Sequence, residues 1–525
     1  MLLLLAYALF LAWSTAKLQT SSAHSTSRLA TVESLVTRGT FEIDASTYSD
    51  TIDKVKIGSH FYSHQPPGHA VLAAVFYLPL HLLGLRFSRG SNAAYVILTF
   101  LTNGLSTILA LFLFSRSLEW FHLNRRIRVL LAAGVACGTL VLPYSTTFNV
   151  HGLVAAWLFV GFYCFLRSGM EDASGGWLFS AGLLLSACVA LDHGTVFIYA
   201  AFCALLLLRR PGFAAAAWFF LPACLTLLPT AAYYYAVGGS LTPLAARTEL
   251  FLYPGSPWLN LDQARGELTG RAWNSPGFAL RYGFLCLFGP RGFLVYNPLI
   301  GIAIYGLAIT IRSRLKFWQE ALAISAGSAA MILYYFLAST NYGGWSYSIR
   351  WFVAVLYLWG FFAAAAVPRL VARRWLAVPV AALAFVSVFY AAGGVPNPWL
   401  KPNSMGYLTP MFNINTQRAP IPALSVTFYP DPALRSADGK WPVSLVLKET
   451  EGVPVTLWRL AMGGVDRSGN IVALFGGNHL AAKAGATARL NLAGFTPPFD
   501  LIVEIEGQED NGRRIKAETS VRLLP

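Results

Sequence analysis

Charge is what this chain has least of. Only 12% of its 525 residues are Asp, Glu, Lys or Arg, 56% are hydrophobic, and the mean hydropathy is +0.53. A soluble domain carries about a quarter charged residues. This composition therefore excludes soluble enzyme folds such as dinucleotide-binding sheets and indicates a polytopic membrane protein. Cysteine is also scarce. All six cysteines (137, 164, 188, 203, 224 and 286) lie in or beside apolar segments, and the polar C-terminal region has none. That placement gives no disulfide framework and no Cys-based metal site; the cysteines read as small packing residues. The sequence lacks a Walker A lysine motif, HExxH and GxSxG, so ATP-driven transport, zinc proteolysis and α/β-hydrolase chemistry have no support.

The net charge of +15 does not point to nucleic acid. Residues 393–525 hold 13 Lys/Arg against 11 Asp/Glu, and the rest of the surplus sits in short runs between apolar segments. Such runs orient helices in a bilayer. Segments of suitable length and apolarity fall near 2–17, 92–114, 127–143, 151–166, 176–191, 195–208, 213–236, 293–311, 318–337, 350–367 and 375–392. The apolar stretch 69–85 is read as an interfacial helix. Arg116–Arg128, Arg167, Arg209-Arg210, Arg312-Arg314-Lys316 and Arg369-Arg373-Arg374 then share the cytoplasmic side.

The expected architecture is an all-α membrane domain over 1–392 with about eleven spans. Its N-terminus is cytoplasmic, and its first loop, 18–92, and second long loop, 237–292, are extracytoplasmic. Ser21-Ser22-Ala23 is a tolerable signal-peptide cleavage site, but no basic stretch precedes the apolar run. The first segment is read as an uncleaved helix. A Pro-rich linker, 393–422, leads to short alternating runs separated by turn signals such as Asp438-Gly439 and Asn511-Gly512. That spacing predicts an extracytoplasmic β-sandwich over 423–525.

The first loop concentrates ionisable groups: Glu33, Glu42, Asp44, Asp50, Asp53, Lys54, Lys56, His60, His64 and His69. A carboxylate at a membrane face can act as a general base toward a hydroxyl. Asp44, Asp53 and His60 are candidates to hold a divalent cation, Mg or Mn, that would neutralise a phosphate. For Glu42, Asp50 and Lys56, plain solvation explains as much. Pro66-Pro67 fixes the backbone before Gly68 opens an apolar helix. Asn149, His151, Asp192, His193 and Asn341 mark outer helix ends. Arg350, after a Gly-rich aromatic segment, suits bidentate grip of a lipid-linked phosphate as well as it suits an interfacial anchor. Arg291, in Phe288-Gly289-Pro290-Arg291-Gly292, reads the same way.

Ser27-Arg28-Leu29, Glu33, Gly39-Thr40-Phe41-Glu42-Ile43-Asp44, Ile52-Asp53-Lys54, Gly58 and Tyr62-Ser63-His64-Gln65-Pro66-Pro67-Gly68 occur in that order. Weaker echoes are Leu142–Thr147, Gly289–Phe293 with Asn297-Pro298, and Gly343-Gly344 through Arg350. In these features the chain resembles the type C (GT-C) integral-membrane glycosyltransferases. The likeness is to the bacterial mannosyltransferase-like branch related to protein O-mannosyltransferases and aminoarabinose transferases.

The resemblance implies inverting transfer of a sugar from a polyprenyl-phosphate donor to a lipid, polysaccharide or protein acceptor, outside the inner (cytoplasmic) membrane. It implies a first-loop Asp as base. The stretch Ala23-His24-Ser25-Thr26 holds no carboxylate, and His64-Gln65 stands where many relatives have a Lys. The base role therefore falls to Asp44, which ends the matched block, or Asp53. Lys54, His64, Arg291 and Arg350 are the candidate donor-phosphate ligands. The competing readings are a transporter or flippase of lipid-linked substrates and a catalytically inactive relative. Polar groups gathered at one face, and not at mid-bilayer, favour the enzyme.

Overall fold

The computed structural model describes all residues except 1, 20, 89–91, 171–174, 211, 254–255, 257–272, 345, 400–423, 451 and 511–513. Most of the 393–422 linker and the middle of the 237–292 loop therefore lie outside the described residues. Two compact units divide the chain, Met1–Asn413 and Ile414–Pro525.

The first unit is helical. Among the described residues, seven helices are long and apolar enough to cross a membrane, the pattern of a multi-pass membrane protein: Ala93–Phe121, Val150–Ser168, Phe213–Gly238, Pro276–Tyr296, Trp318–Ala338, Arg350–Val371 and Arg374–Gly394. Helices α1 (Leu2–Leu18) and α2 (Ala23–Arg38) pass the same test only as a pair, and they are bent by 94°. Gly175–Leu191, His193–Leu208 and Ile300–Arg312 are shorter apolar helices.

One helix is new relative to the sequence reading. Pro276–Phe288 lies inside the stretch expected to be a loop. Ser275 caps it by accepting from Phe278 N, Pro276 takes the first turn, and Gly289 ends it. Continued to Tyr296 it is long and apolar enough to cross a membrane, a stretch the sequence reading divides near residue 293.

Small residues set how closely these helices approach. A Cβ on Gly306 would lie 1.9 Å from Phe362 O, and one on Gly182 2.0 Å from Phe219 O. Membrane helices pack through such contacts because lipid provides no hydrophobic drive between them. Gly306→Ala must push Ile300–Arg312 away from Leu356–Val371. We expect it to lower stability by about 1–3 kcal/mol, read as a lower melting temperature in detergent. An unchanged melting temperature would disprove the close approach.

The first loop is built from four elements. After α2 comes a hairpin of β1 (Lys54–Ile57) and β2 (His60–Ser63), then α3 (Pro67–Leu82). The hairpin turns on two residues, with Gly58 at φ 62. Its register pairs Lys54 with Ser63 and Ile57 with His60. Asp53 and His64 therefore flank the open end, while His60 stands at the turn. Helix α3 buries Ala70, Ala73 and Tyr77 and exposes Val71, Val75, Leu78 and Leu82. A Cβ on Gly68 would sit 3.1 Å from Ala190 O, so α3 begins tight against Gly175–Leu191.

The second unit is β-rich. One sheet runs β4 (Ala433–Leu434), β11 (Arg514–Leu524), β10 (Phe499–Glu509), β6 (Val455–Met462), β7 (Val465–Asp466), with β8 (His479–Leu480) also on β6. The other runs β3 (Leu424–Tyr429), β5 (Trp441–Glu449), β9 (Gly485–Leu492). Burial alternates along β3 and β5 as period-2 side chains require. Val426, Leu445, Leu457, Val503 and Val521 from both sheets share one apolar core. Trp441 is fully buried there, with Nε1 donating to Leu524 O at 2.7 Å.

Candidate active site at the helix ends

A cavity of about 420 Å³ opens in the helical unit. It collects His24 and Arg28 from α2, His64 and Gln65 from the hairpin exit, and His151, Asp192 and Arg350 from helix ends. Tyr335, Trp351 and Trp399 add aromatic surface.

Local geometry explains each polar member. His24 and Arg28 stand one turn apart on α2, so they share a face; Ser22 caps that helix by accepting from Ser25 N. Ser27 Oγ donates to Asp53 O and lies 2.6 Å from Ser63 Oγ, which fastens α2 to the open end of the hairpin. Asp53 is 2% exposed, and its Oδ2 is 2.6 Å from His24 Nδ1. His64 Nδ1 faces the Asp53 carbonyl at 3.2 Å and so donates to it. Arg28 donates through NH2 to Gln65 Oε1 at 2.6 Å, which aims the Gln65 amide N–H₂ at His64 Nε2. Asn149 caps Val150–Ser168 and so positions His151, whose Nδ1 is 3.4 Å from Asp192 Oδ2.

Arg350 closes the group. One of its NH2 protons goes to His24 Nε2 at 2.7 Å, and its guanidinium lies over Trp399 at 5.8 Å. The Nε atoms of Arg28 and Arg350 are buried without a hydrogen-bond partner. Each side chain therefore carries one unused donor, itself buried. Arg350 is delivered by the Asn341–Ser348 segment, which takes left-handed backbone at Tyr342, Gly343, Gly344 and Ser348. Arg291 braces that segment: its NH2 donates to Gly344 O and Ser346 O, each at 2.7 Å, while its own carbonyl accepts from Ser348 Oγ at 2.9 Å.

Arg350 NH2 can only donate to His24 Nε2, while the Nδ1 edge of that ring faces both Asp53 Oδ2 and the Gln65 amide nitrogen. Burial pushes both His24 and His64 down to about 4, against the pull of the Asp53 carboxylate. For Asp53, burial opposes ionisation, but His24, His64 and Arg350 outweigh it and hold the carboxyl below the usual range.

The sign of the linkage follows. An unfolded His titrates near 6.5, so between about pH 6.5 and 4 the unfolded chain binds more protons than the folded one. Stability then rises with pH across that window. We expect the melting temperature in detergent to fall as pH is lowered from about 7 to about 4, and His64→Asn to flatten the fall. A melting temperature independent of pH there would contradict neutral buried imidazoles.

The sequence candidates thus separate. His64 and Arg350 line the cavity, and Asp53 is buried behind it against His24. Lys54, the next residue along an extended strand, points the other way: its Nζ donates to Ser49 O and lies over Phe61. Asp44 and His60 form a second cluster with Glu42 near the hairpin turn, half-exposed, where His60 Nδ1 is 3.5 Å from both carboxylates. Arg291 supports Arg350 from behind and does not line the cavity. His24 and Arg28 were not among the sequence candidates. Their i, i+4 spacing immediately before the Asp-rich loop was the available signal.

The three cation candidates are likewise divided between two clusters, His24–Asp53–His64 and Glu42–Asp44–His60. The inner set brings one carboxylate, whose Oδ2 has no hydrogen-bond partner, beside two imidazoles, with the guanidinium of Arg350 against His24. The outer set offers two carboxylates, the donor type a hard cation prefers.

No family model and no curated protein matches the chain. Two solved structures are partly similar to it, both of ArnT from Cupriavidus metallidurans. The apo structure aligns at a TM-score of 0.44 and 15% identity, over 71% of this chain and 60% of ArnT. The structure bound to undecaprenyl phosphate aligns at a TM-score of 0.45 and 16% identity, over 75% of this chain and 69% of ArnT. The chain thus spans about 60% of the length of the first of these.

Proposed function

We propose that the chain is an integral-membrane glycosyltransferase that moves a sugar from a polyprenyl-phosphate carrier to an acceptor hydroxyl, with inversion. The observation that carries this reading is the cavity lined by His24, Arg28 and Arg350, with the carboxylate of Asp53 buried behind His24. A carboxylate-backed base and two guanidiniums with unused donors match the two charges such a reaction develops: a proton leaving the acceptor and a phosphate leaving the sugar. In this reading Asp53, and not Asp44, is the carboxylate behind deprotonation, since Asp44 accepts from Phe61 N on the far side of the hairpin. His64 holds the Asp53 backbone, and Lys54 packs the hairpin.

The full topology belongs to the same proposal. Eleven spans place the N-terminus in the cytoplasm and put the first loop, the cavity and the C-terminal unit outside the inner membrane. The two sheets of that unit form a β-sandwich. The expected divalent cation, Mg or Mn, is assigned to Glu42, Asp44 and His60, where it would supply Lewis-acid charge toward a phosphate.

The test is reconstitution of the full chain in vesicles with a panel of polyprenyl-phosphate sugars. Transfer to an added glycan, lipid or peptide acceptor supports the reading. Failure of every donor both to react and to bind overturns it. Cysteines placed at exposed positions of the 18–92 loop should label from outside the cell membrane; labelling only from the cytoplasm would reverse the topology.

A further inference from the structure

We infer that His24 is the group that takes the acceptor's proton, that Asp53 is its positioning carboxylate, and that Arg350 holds the ring in waiting until an anion enters the cavity. This rests on the glycosyltransferase reading above and assigns its base to a different atom.

Three observations lead there. Asp53 is 2% exposed and does not line the cavity, so no acceptor hydroxyl reaches its oxygens; His24 does line it. His24 Nδ1 lies 2.6 Å from Asp53 Oδ2, and Arg350, which can only donate, faces Nε2, so Nε2 presents a lone pair. That lone pair is covered by Arg350 NH2 at 2.7 Å. The same guanidinium keeps an unpartnered Nε, as does Arg28 across the wall. Two guanidiniums beside the imidazole have a better partner in a phosphate than in a ring nitrogen, because phosphate brings an opposite charge and accepts their planar fork bidentately. Phosphate binding therefore draws Arg350 off His24 and exposes Nε2.

The step balances without an added reagent. His24 Nε2 takes the proton from the acceptor O–H as that oxygen bonds to the sugar's anomeric carbon. The bond from that carbon to the phosphate oxygen breaks, and the phosphate leaves with the electron pair beside Arg28 and Arg350. The imidazolium shares its Nδ1 proton with Asp53, then loses the Nε2 proton to the departing phosphate or to solvent. The order of events prevents idle deprotonation of water, since the base is uncovered only when the donor is bound.

The experiment compares His24→Ala, His24→Gln and the wild type in vesicles, with a polyprenyl-phosphate sugar that the wild type uses. We expect His24→Ala to lower kcat about 100-fold or more, to change donor KM less than about threefold, and to recover part of the rate with added imidazole. Asp53 and Arg350 remain in place to orient the added ring. His24→Gln keeps a hydrogen-bonding side chain against Asp53 and Arg350 but accepts no proton, so it should fold, bind donor and stay inactive. An active His24→Gln, or a His24→Ala that imidazole leaves unrescued, overturns the inference. A wild type that transfers from no polyprenyl-phosphate donor overturns the glycosyltransferase reading itself, and the two failures are distinct.

Discussion

Asp53→Asn is expected to cut sugar transfer by about 100- to 10,000-fold, the range general-base catalysis contributes, while Asp44→Asn stays within about twofold of the wild type. The side chains differ by one group, so packing is nearly unchanged. What changes is the partner of His24 Nδ1. An amide N–H₂ cannot accept the ring proton. If the amide is flipped, its carbonyl accepts in place of Oδ2 but without charge. In either pose the ring loses the negative group that stabilises it when protonated, and Arg28 and Arg350 lose a counter-charge. The measurement is kcat and donor KM in vesicles, with melting temperature as the folding control. The effect should fall on kcat. If Asp44→Asn were the inactive variant and Asp53→Asn active, the cavity would not be the site of chemistry.

Arg350→Ala is expected to weaken binding of polyprenyl phosphate by about 2–5 kcal/mol, the usual result of truncating one partner of a buried charge pair, or roughly 30-fold to several thousand-fold. Arg350→Lys should fall between, since Lys keeps the charge but loses the planar fork. Trp351 and Trp399 line the cavity, so quenching of their fluorescence on titration with a short-chain polyprenyl phosphate reads the affinity directly. Arg291→Ala is the companion variant. It removes the brace on Gly344 and Ser346 without removing a cavity charge, so its loss should be smaller and should come with lower thermal stability. Wild-type affinity in Arg350→Ala would remove Arg350 from donor recognition.

Several features were legible without coordinates. Apolar segments near 151–166, 213–236, 318–337 and 375–392 coincide with the helices Val150–Ser168, Phe213–Gly238, Trp318–Ala338 and Arg374–Gly394, because a bilayer demands length and apolarity that a window can read. Alternation after residue 423 marked β-strands, because period-2 burial is written in neighbouring residues. Helix Pro276–Phe288 was missed because the sequence reading starts the span near residue 293, which cuts an apolar run in two. Gly283, whose Cβ would meet the Phe336 ring at 2.6 Å, lets the helix lie against Trp318–Ala338.

The sequence by itself determined that this protein lives in a membrane, that its ionisable residues gather in the first loop, and that a β-rich unit follows. Those properties are sums over short stretches, and short stretches carry them. Which of the loop's carboxylates matters was decided only by tertiary structure. A two-residue turn at Gly58 sends Asp53 and His64 to one end of a hairpin and leaves His60 at the other, beside Asp44. The fold then brings Arg350 across 326 positions of sequence to His24. A lone histidine and a lone arginine carry no local sign of each other. Their pairing exists because helix ends and one hairpin converge on a single buried cavity, where an uncompensated charge is too costly to stand alone.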